Sequence, residues 1–216
     1  MIQAVIFDMD GVLVDSEPLS EQHEREYFKK YNVVFKKGYF EKLKGKHAFD
    51  YWSQIISDFN LPLTPESIID DIRESYLTFL RSQKKLRPVK GTRQLIKQLR
   101  RENFKLAVAS SANPKRVDLI LKICRLESLF DIITNADTVK RGKPAPDIFL
   151  MSAQQLGVSP SACLVIEDTT SGVKAGKAAG MKVVGFAGLS DKQDLSLSDK
   201  TIHSFDELTY DIIKSF

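Results

Sequence analysis

Residues 3–11, QAVIFDMDG, run from a short apolar stretch straight into two aspartates and a glycine. An apolar run with no polar alternation, rich in Val and Ile, reads as a strand buried on both faces, the habit of parallel sheets. The run from Gln3 to Phe7 stops abruptly at Asp8, so the carboxylates of Asp8 and Asp10 fall where the chain leaves its sheet. Similar runs recur at 106–109 (LAVA), 164–166 (LVI) and 183–186 (VVGF), with a weaker one at Ile132-Ile133.

Helical periodicity fills the gaps between these runs. Leu95, Ile96 and Leu99 share one face before LAVA; Val117, Ile120, Leu121 and Cys124 share one after it. Asn113-Pro114 has the form of an N-cap followed by proline at the first helical position. Gly157 and Gly180 stand where C-terminal glycine caps belong. Buried strands alternating with helices predict an α/β fold, a Rossmann-like parallel sheet with helices on both faces.

Residues 16–86 break that alternation. Ile68, Ile69, Ile72, Tyr76, Phe79 and Leu80 form a helical stripe begun by Thr64-Pro65-Glu66; Trp52, Ile55, Ile56 and Phe59 suggest another. The expected organisation is a core of residues 1–15 and 87–216 with a small all-helical cap, 16–86, inserted after the first strand. Trp52 is expected in the cap core.

Composition sets outer bounds. The chain has 216 residues, with 43% hydrophobic and 28% charged, an ordinary globular balance. Thirty-two Lys+Arg against 28 Asp+Glu leave +4, without the basic runs or aromatic-basic interleaving of a nucleic-acid groove. Cys124 and Cys163 sit in apolar stretches, outside any CxxC pattern, and read as buried thiols suited to a reducing compartment. The N-terminus lacks a cationic, apolar leader, and no apolar run is long enough for a membrane span. A cytoplasmic protein, with monomer as the default state, is expected.

In an open parallel sheet, ligands bind beyond the carboxyl ends of the strands. The polar residues there are Asp8 and Asp10, Ser110-Ser111 after LAVA, Glu167-Asp168 after LVI, and Lys143 in the loop beyond Ile133. Each alone has a plain reading, as a cap or turn residue. Together they bring four carboxylates, a hydroxyl and an ammonium to one edge. Such a cluster repels itself unless a cation sits within it, and an all-oxygen set suits Mg²⁺. Ser110 and Lys143 would hold phosphate oxygens, completing the needs of phosphoryl transfer.

DMDGV at 8–12, the serine after the second buried strand, GKPAPDIF at 142–149 and VIEDTTSGVKAG at 165–176 resemble the four signature motifs of the haloacid dehalogenase superfamily. The resemblance covers essentially the whole chain. It implies that Asp8 attacks phosphorus to form an aspartyl phosphate and that Asp10 is the general acid/base. It also implies Mg²⁺ bound by Asp8, the Asp10 carbonyl and Asp168, with Glu167 direct or through water. Ser110, with backbone amides near Met9 and Ser111, would hold the phosphoryl group, and Lys143 would offset its charge. Asp10 favours phosphate esters over halides, because chloride leaves without a proton.

The string VIFDMDGVLVDSEPL is typical of the branch that holds beta-phosphoglucomutase and sugar-phosphate phosphatases. Leu43-Lys44-Gly45 matches that branch's substrate loop, so Lys44 and Gly45 are substrate-contact candidates, with Lys46 and His47 beside them. An arginine that grips the distal phosphate in the mutase is replaced by Ala48. A cap histidine of the mutase is replaced by Ser20, the nearest being His23. The expectation is therefore a Mg²⁺-dependent phosphatase of a small phosphorylated metabolite, with the mutase as alternative. An inactive phosphate-binding protein is disfavoured, since Asp8 and Asp10 are both present. Gly172 and Gly176 read as a small-residue face against the sheet, and His203 receives no role.

Overall fold

A computed structural model describes residues 1–43, 48–83, 86–190 and 192–216. Its sheet has six parallel strands, β1 (Ala4–Phe7), β2 (Lys105–Ala109), β3 (Ile132–Thr134), β4 (Cys163–Glu167), β5 (Lys182–Phe186) and β6 (Lys200–Ile202), in the order β3-β2-β1-β4-β5-β6. The order reverses between β1 and β4, which makes their carboxyl ends the ligand crevice of a doubly wound sheet. Phe7 is level with Val108 on one side and Ile166 on the other. Asp8 therefore leaves the sheet beside the ends of β2 and β4.

The four residues of β1 are buried on both faces, as an unalternating apolar run demands. Ala4 and Ile6 share one face with Ala107, Ala109, Val165 and Val183, and pack against Phe149 and Ala153. The small alanines let α6 (Asp147–Leu156) lie close on β1–β3, while α7 (Thr170–Ala178) covers β4 and β5. Gly176 serves the same end, because a Cβ there would stand 2.8 Å from Val183.

The expected helix signals hold. Asn113 caps α5 (Pro114–Ile123), its side chain accepting from Arg116 N–H, and proline begins the helix. Gly157 closes α6 in the left-handed region, and Gly180, just beyond α7, is left-handed too. Leu95, Ile96 and Leu99 are the buried face of α4 (Thr92–Arg101). Cys124 and Cys163 are buried free thiols. β6 has no counterpart among the expected strands. It is a short edge strand with only Ile202 buried, too brief to show as an apolar run.

The chain divides into Met1–Asp15 with Lys85–Phe216, and Ser16–Lys84. The second unit carries α1 (Glu17–Phe28), α2 (Ala48–Asp58) and α3 (Pro65–Ser82). Thr64 and Ser67 form a reciprocal capping box at the start of α3, with Pro65 next. Phe28, Phe35, Phe40, Ile55, Ile68 and Ile72 are its core, with Trp52 stacked on Phe28 at its margin. Ile69 and Phe79 are only half-buried, whereas Leu77, absent from the expected stripe, is buried.

Candidate active site

The carboxyl end of the sheet is made of residues that the strands deliver directly. Asp8 follows β1 and is 7% exposed, its N–H donating to Ile166 O at 2.9 Å. Glu167 ends β4 and is buried. Lys143, from the loop before α6, reaches between them. Its Nζ donates to Asp8 Oδ1 at 2.5 Å, Glu167 Oε1 at 2.7 Å and Ala109 O at 3.1 Å. The other Glu167 oxygen accepts from the N–H and hydroxyl of Thr169. Thr169 in turn caps α7 by accepting from Gly172 N–H.

Two glycines are required by these carboxylates. Gly11 has φ +86°, and a Cβ on it would lie 2.0 Å from Asp168 Oδ2. A Cβ on Gly172 would lie 1.8 Å from Glu167 Oε1. Gly172 therefore makes room for a carboxylate, where Gly176 makes room for the sheet. That refines the single small-residue face expected of the pair.

Ser110 follows β2 and is buried. Its N–H donates to Thr134 O and its hydroxyl accepts from Ala112 N–H at 3.1 Å. Ser111 is exposed beside it. Asp10 is half-buried, and Arg116 Nη2 donates to its Oδ1 at 2.7 Å. Arg116 and Thr169 were not among the sequence candidates. Arg116 could have been flagged as a cation in the first turn of a helix, where the dipole disfavours one. Lys44 and Gly45, with Lys46 and His47, lie outside the described residues.

The electrostatics are those of a cluster short of positive charge. Burial pushes the Asp8 carboxyl up to about 8; Lys143 opposes the rise while Glu167 and Asp10 add to it. Burial likewise pushes Asp168 up to about 9, helped by Asp8 and Glu167. Burial works against the Lys143 ammonium, but Asp8 and Glu167 outweigh it and hold its pKa above the usual lysine value. One ammonium thus faces the carboxylates of Asp8, Glu167 and Asp168.

Asp168 Oδ1 is buried with no hydrogen-bond partner. Buried polar atoms are seldom left so. The unpartnered oxygen and the charge shortfall both fit a hard divalent cation. No three His, Cys, Asp or Glu side chains among the described residues form a ready cage. Mg²⁺ does not need one, since it keeps several waters and takes one or two carboxylates plus a substrate phosphate. Among the described residues, no helix is long and apolar enough to cross a membrane.

Comparison with known proteins agrees with this geometry. The chain is 34% identical over 205 residues to the bifunctional riboflavin kinase/FMN phosphatase of Arabidopsis thaliana, covering 93% of this chain and 52% of that protein. It spans about half the length of that relative. It is 32% identical over 188 residues to the phosphorylated carbohydrates phosphatase of Thermotoga maritima, covering 84% and 83% of the two chains. The crystal structure of CbbY from Rhodobacter sphaeroides in complex with phosphate superposes with a TM-score of 0.83 at 25% identity, covering 96% of each chain. The family model described as haloacid dehalogenase-like hydrolase matches residues 5–186. With the sheet order, the strand-end residues and that match in accord, the chain belongs to the haloacid dehalogenase-like hydrolases.

Proposed function

We propose that this protein hydrolyses phosphomonoesters of small metabolites, sugar phosphates among them, through an aspartyl phosphate on Asp8. The observation that carries the proposal is the Lys143 ammonium 2.5 Å from Asp8 Oδ1 at the topological switch point, beside the unpartnered Asp168 oxygen. Phosphoryl transfer to a carboxylate brings two anions together, so catalysis is mostly charge neutralisation and positioning.

Asp8 would attack phosphorus while Asp10 gives a proton to the departing ester oxygen. Asp10 would then take a proton from the water that cleaves the acyl phosphate. Ser110, whose oxygen accepts from Ala112 N–H, directs its own O–H as a donor to the phosphoryl group. Ser111 supplies a backbone amide to the same group. Lys143 neutralises charge on Asp8 and the incoming phosphate.

Mg²⁺ would be held by Asp8, Asp168 and the Asp10 carbonyl, with Glu167 acting through water because Lys143 and Thr169 engage both its oxygens. When bound, the ion supplies positive charge to the phosphoryl oxygens. Lys44 and Gly45 are proposed substrate contacts. Residues 1–15 and 87–216 are proposed as the catalytic core and 16–86 as the cap that selects substrate.

Hydrolysis is favoured over phosphosugar isomerisation by Ala48. In the mutases that the chain resembles, this position carries an arginine that grips a second phosphate; here it is the methyl group of Ala48, the first residue of α2, which cannot supply a bidentate contact. The test is a panel of phosphate esters with Mg²⁺, comparing wild type with Asp8→Asn. Phosphate release abolished by the substitution is expected. Conversion of glucose 1-phosphate to glucose 6-phosphate faster than phosphate release would replace the hydrolase by a mutase.

A further inference from the structure

Arg116 is a site neighbour whose placement no local rule explains. It occupies the third position of α5, with Asn113 as N-cap and Pro114 first. A cation in the first turn of a helix opposes the macrodipole, a penalty of about 0.3–1 kcal/mol. The compensating contact is distant in sequence: Nη2 donates to Asp10 Oδ1 at 2.7 Å across 106 residues.

Both ends of this contact are tethered. The Arg116 backbone N–H donates to Asn113 Oδ1 at 3.0 Å, which fixes the helix start. Asp10 lies in a tight loop where Gly11 N–H donates to Val14 O at 2.8 Å, and Asp10 itself bridges Val14. The segment that presents Ser110 after β2 leads directly into the first turn of α5, which carries Arg116. As a surface ion pair it would add little to stability, about 0–1 kcal/mol. Its side chains are only 25% and 33% exposed, however, and it grips a residue that has to carry a proton.

We propose that Arg116 is a positioning residue for proton transfer: by holding Oδ1 of Asp10 it orients the carboxyl so that the other oxygen serves the reacting group. The proposal rests on the phosphatase reading above. In the first half-reaction, Asp8 forms a bond to phosphorus, the bond from phosphorus to the ester oxygen breaks, and that oxygen takes the Asp10 proton to leave as an alcohol. In the second, water attacks phosphorus and gives a proton to Asp10. The bond from phosphorus to Asp8 then breaks, releasing inorganic phosphate.

This role has a signature that a structural ion pair lacks. A p-nitrophenolate leaves without help, whereas phenolate leaves better with a proton. The experiment measures kcat/KM, which reports steps up to leaving-group departure, on p-nitrophenyl and phenyl phosphate with Mg²⁺. Wild type, Arg116→Ala, Arg116→Gln and Arg116→Lys are compared.

Arg116→Ala is expected to lose about 10–100-fold on phenyl phosphate and less than about threefold on p-nitrophenyl phosphate. Arg116→Lys should recover much of the loss. Asp10→Asn should show the same leaving-group bias, and adding Arg116→Ala to it should change little further. If Arg116→Ala does not fold, Arg116→Gln gives the same comparison. Equal losses on both esters, or no loss, would overturn the positioning role alone. A wild type inert on both of these esters and on every ester of the panel would overturn the phosphatase reading and this role with it.

Discussion

Lys143→Met removes an ammonium from the middle of the site while keeping most of the stem's volume. In the folded chain its Nζ lies 2.5 Å from Asp8 Oδ1 and 2.7 Å from Glu167 Oε1, with 6% of the side chain exposed, so water screens the contacts little. Without it, the carboxylates of Asp8, Glu167 and Asp168 face one another with no cation between them. Breaking a buried ion pair by removing one partner costs about 3–5 kcal/mol, because the survivor stays buried and unpaired. Proton uptake by Asp8 and Asp168, both already raised, should bring the loss toward the lower end. The corresponding fall in Tm is roughly 6–20 °C for a chain of this length. Thermal and guanidinium unfolding in EDTA would measure it. The double variant Lys143→Met/Glu167→Gln should recover at least half, since it removes one of the stranded charges. Loss below 1 kcal/mol in the single variant, or no recovery in the double, would refute the idea that Lys143 neutralises this cluster.

Gly172→Ala should destabilise by about 1–3 kcal/mol, as a Cβ 1.8 Å from Glu167 Oε1 forces the carboxylate to move. Gly142→Ala, with nothing within 4 Å of its Cβ, should be near neutral in the same denaturation series. His23 gives a pH prediction. It is buried among Tyr27, Tyr76 and Phe79 and bonded to Ser75 Oγ, and burial lowers its pKa to about 4 despite Glu26. The unfolded chain takes up that proton near pH 6.5, the folded chain only near 4. Stability should therefore be full above about pH 6.5 and fall toward pH 4, by up to about 1.4 kcal/mol per pH unit. His23→Gln lacks this titration, so the wild-type-minus-variant stability difference should fall as pH drops across that window. A difference independent of pH would show that His23 is not held neutral by burial.

The sheet was largely legible because parallel strands buried on both faces leave unalternating runs, as at Ala4–Phe7 and Cys163–Glu167. The site was legible through the same logic, since Asp8, Ser110 and Glu167 are the residues at which those runs stop. The rest leaves at most a weak local pattern. β6 is an edge strand of three residues with one buried. The Arg116 contact joins residues 106 apart, and neither neighbourhood announces the other. Gly172 looked like Gly176 in sequence, because what each abuts, a carboxylate or a valine, depends on which strand residue lies beneath it. The half-buried state of Ile69 and Phe79 shows that helical periodicity marks a stripe without fixing its edges.

Everything proposed for this site requires that Asp8 itself becomes phosphorylated. Acid-quenching the enzyme during turnover of p-nitrophenyl phosphate with Mg²⁺, reducing the acyl phosphate with borohydride and mapping peptides by mass spectrometry tests it directly. Homoserine is expected at position 8, dependent on the ester and absent in Asp8→Asn. Phosphate release by the wild type with position 8 unmodified, or with the modification on another residue, would contradict it.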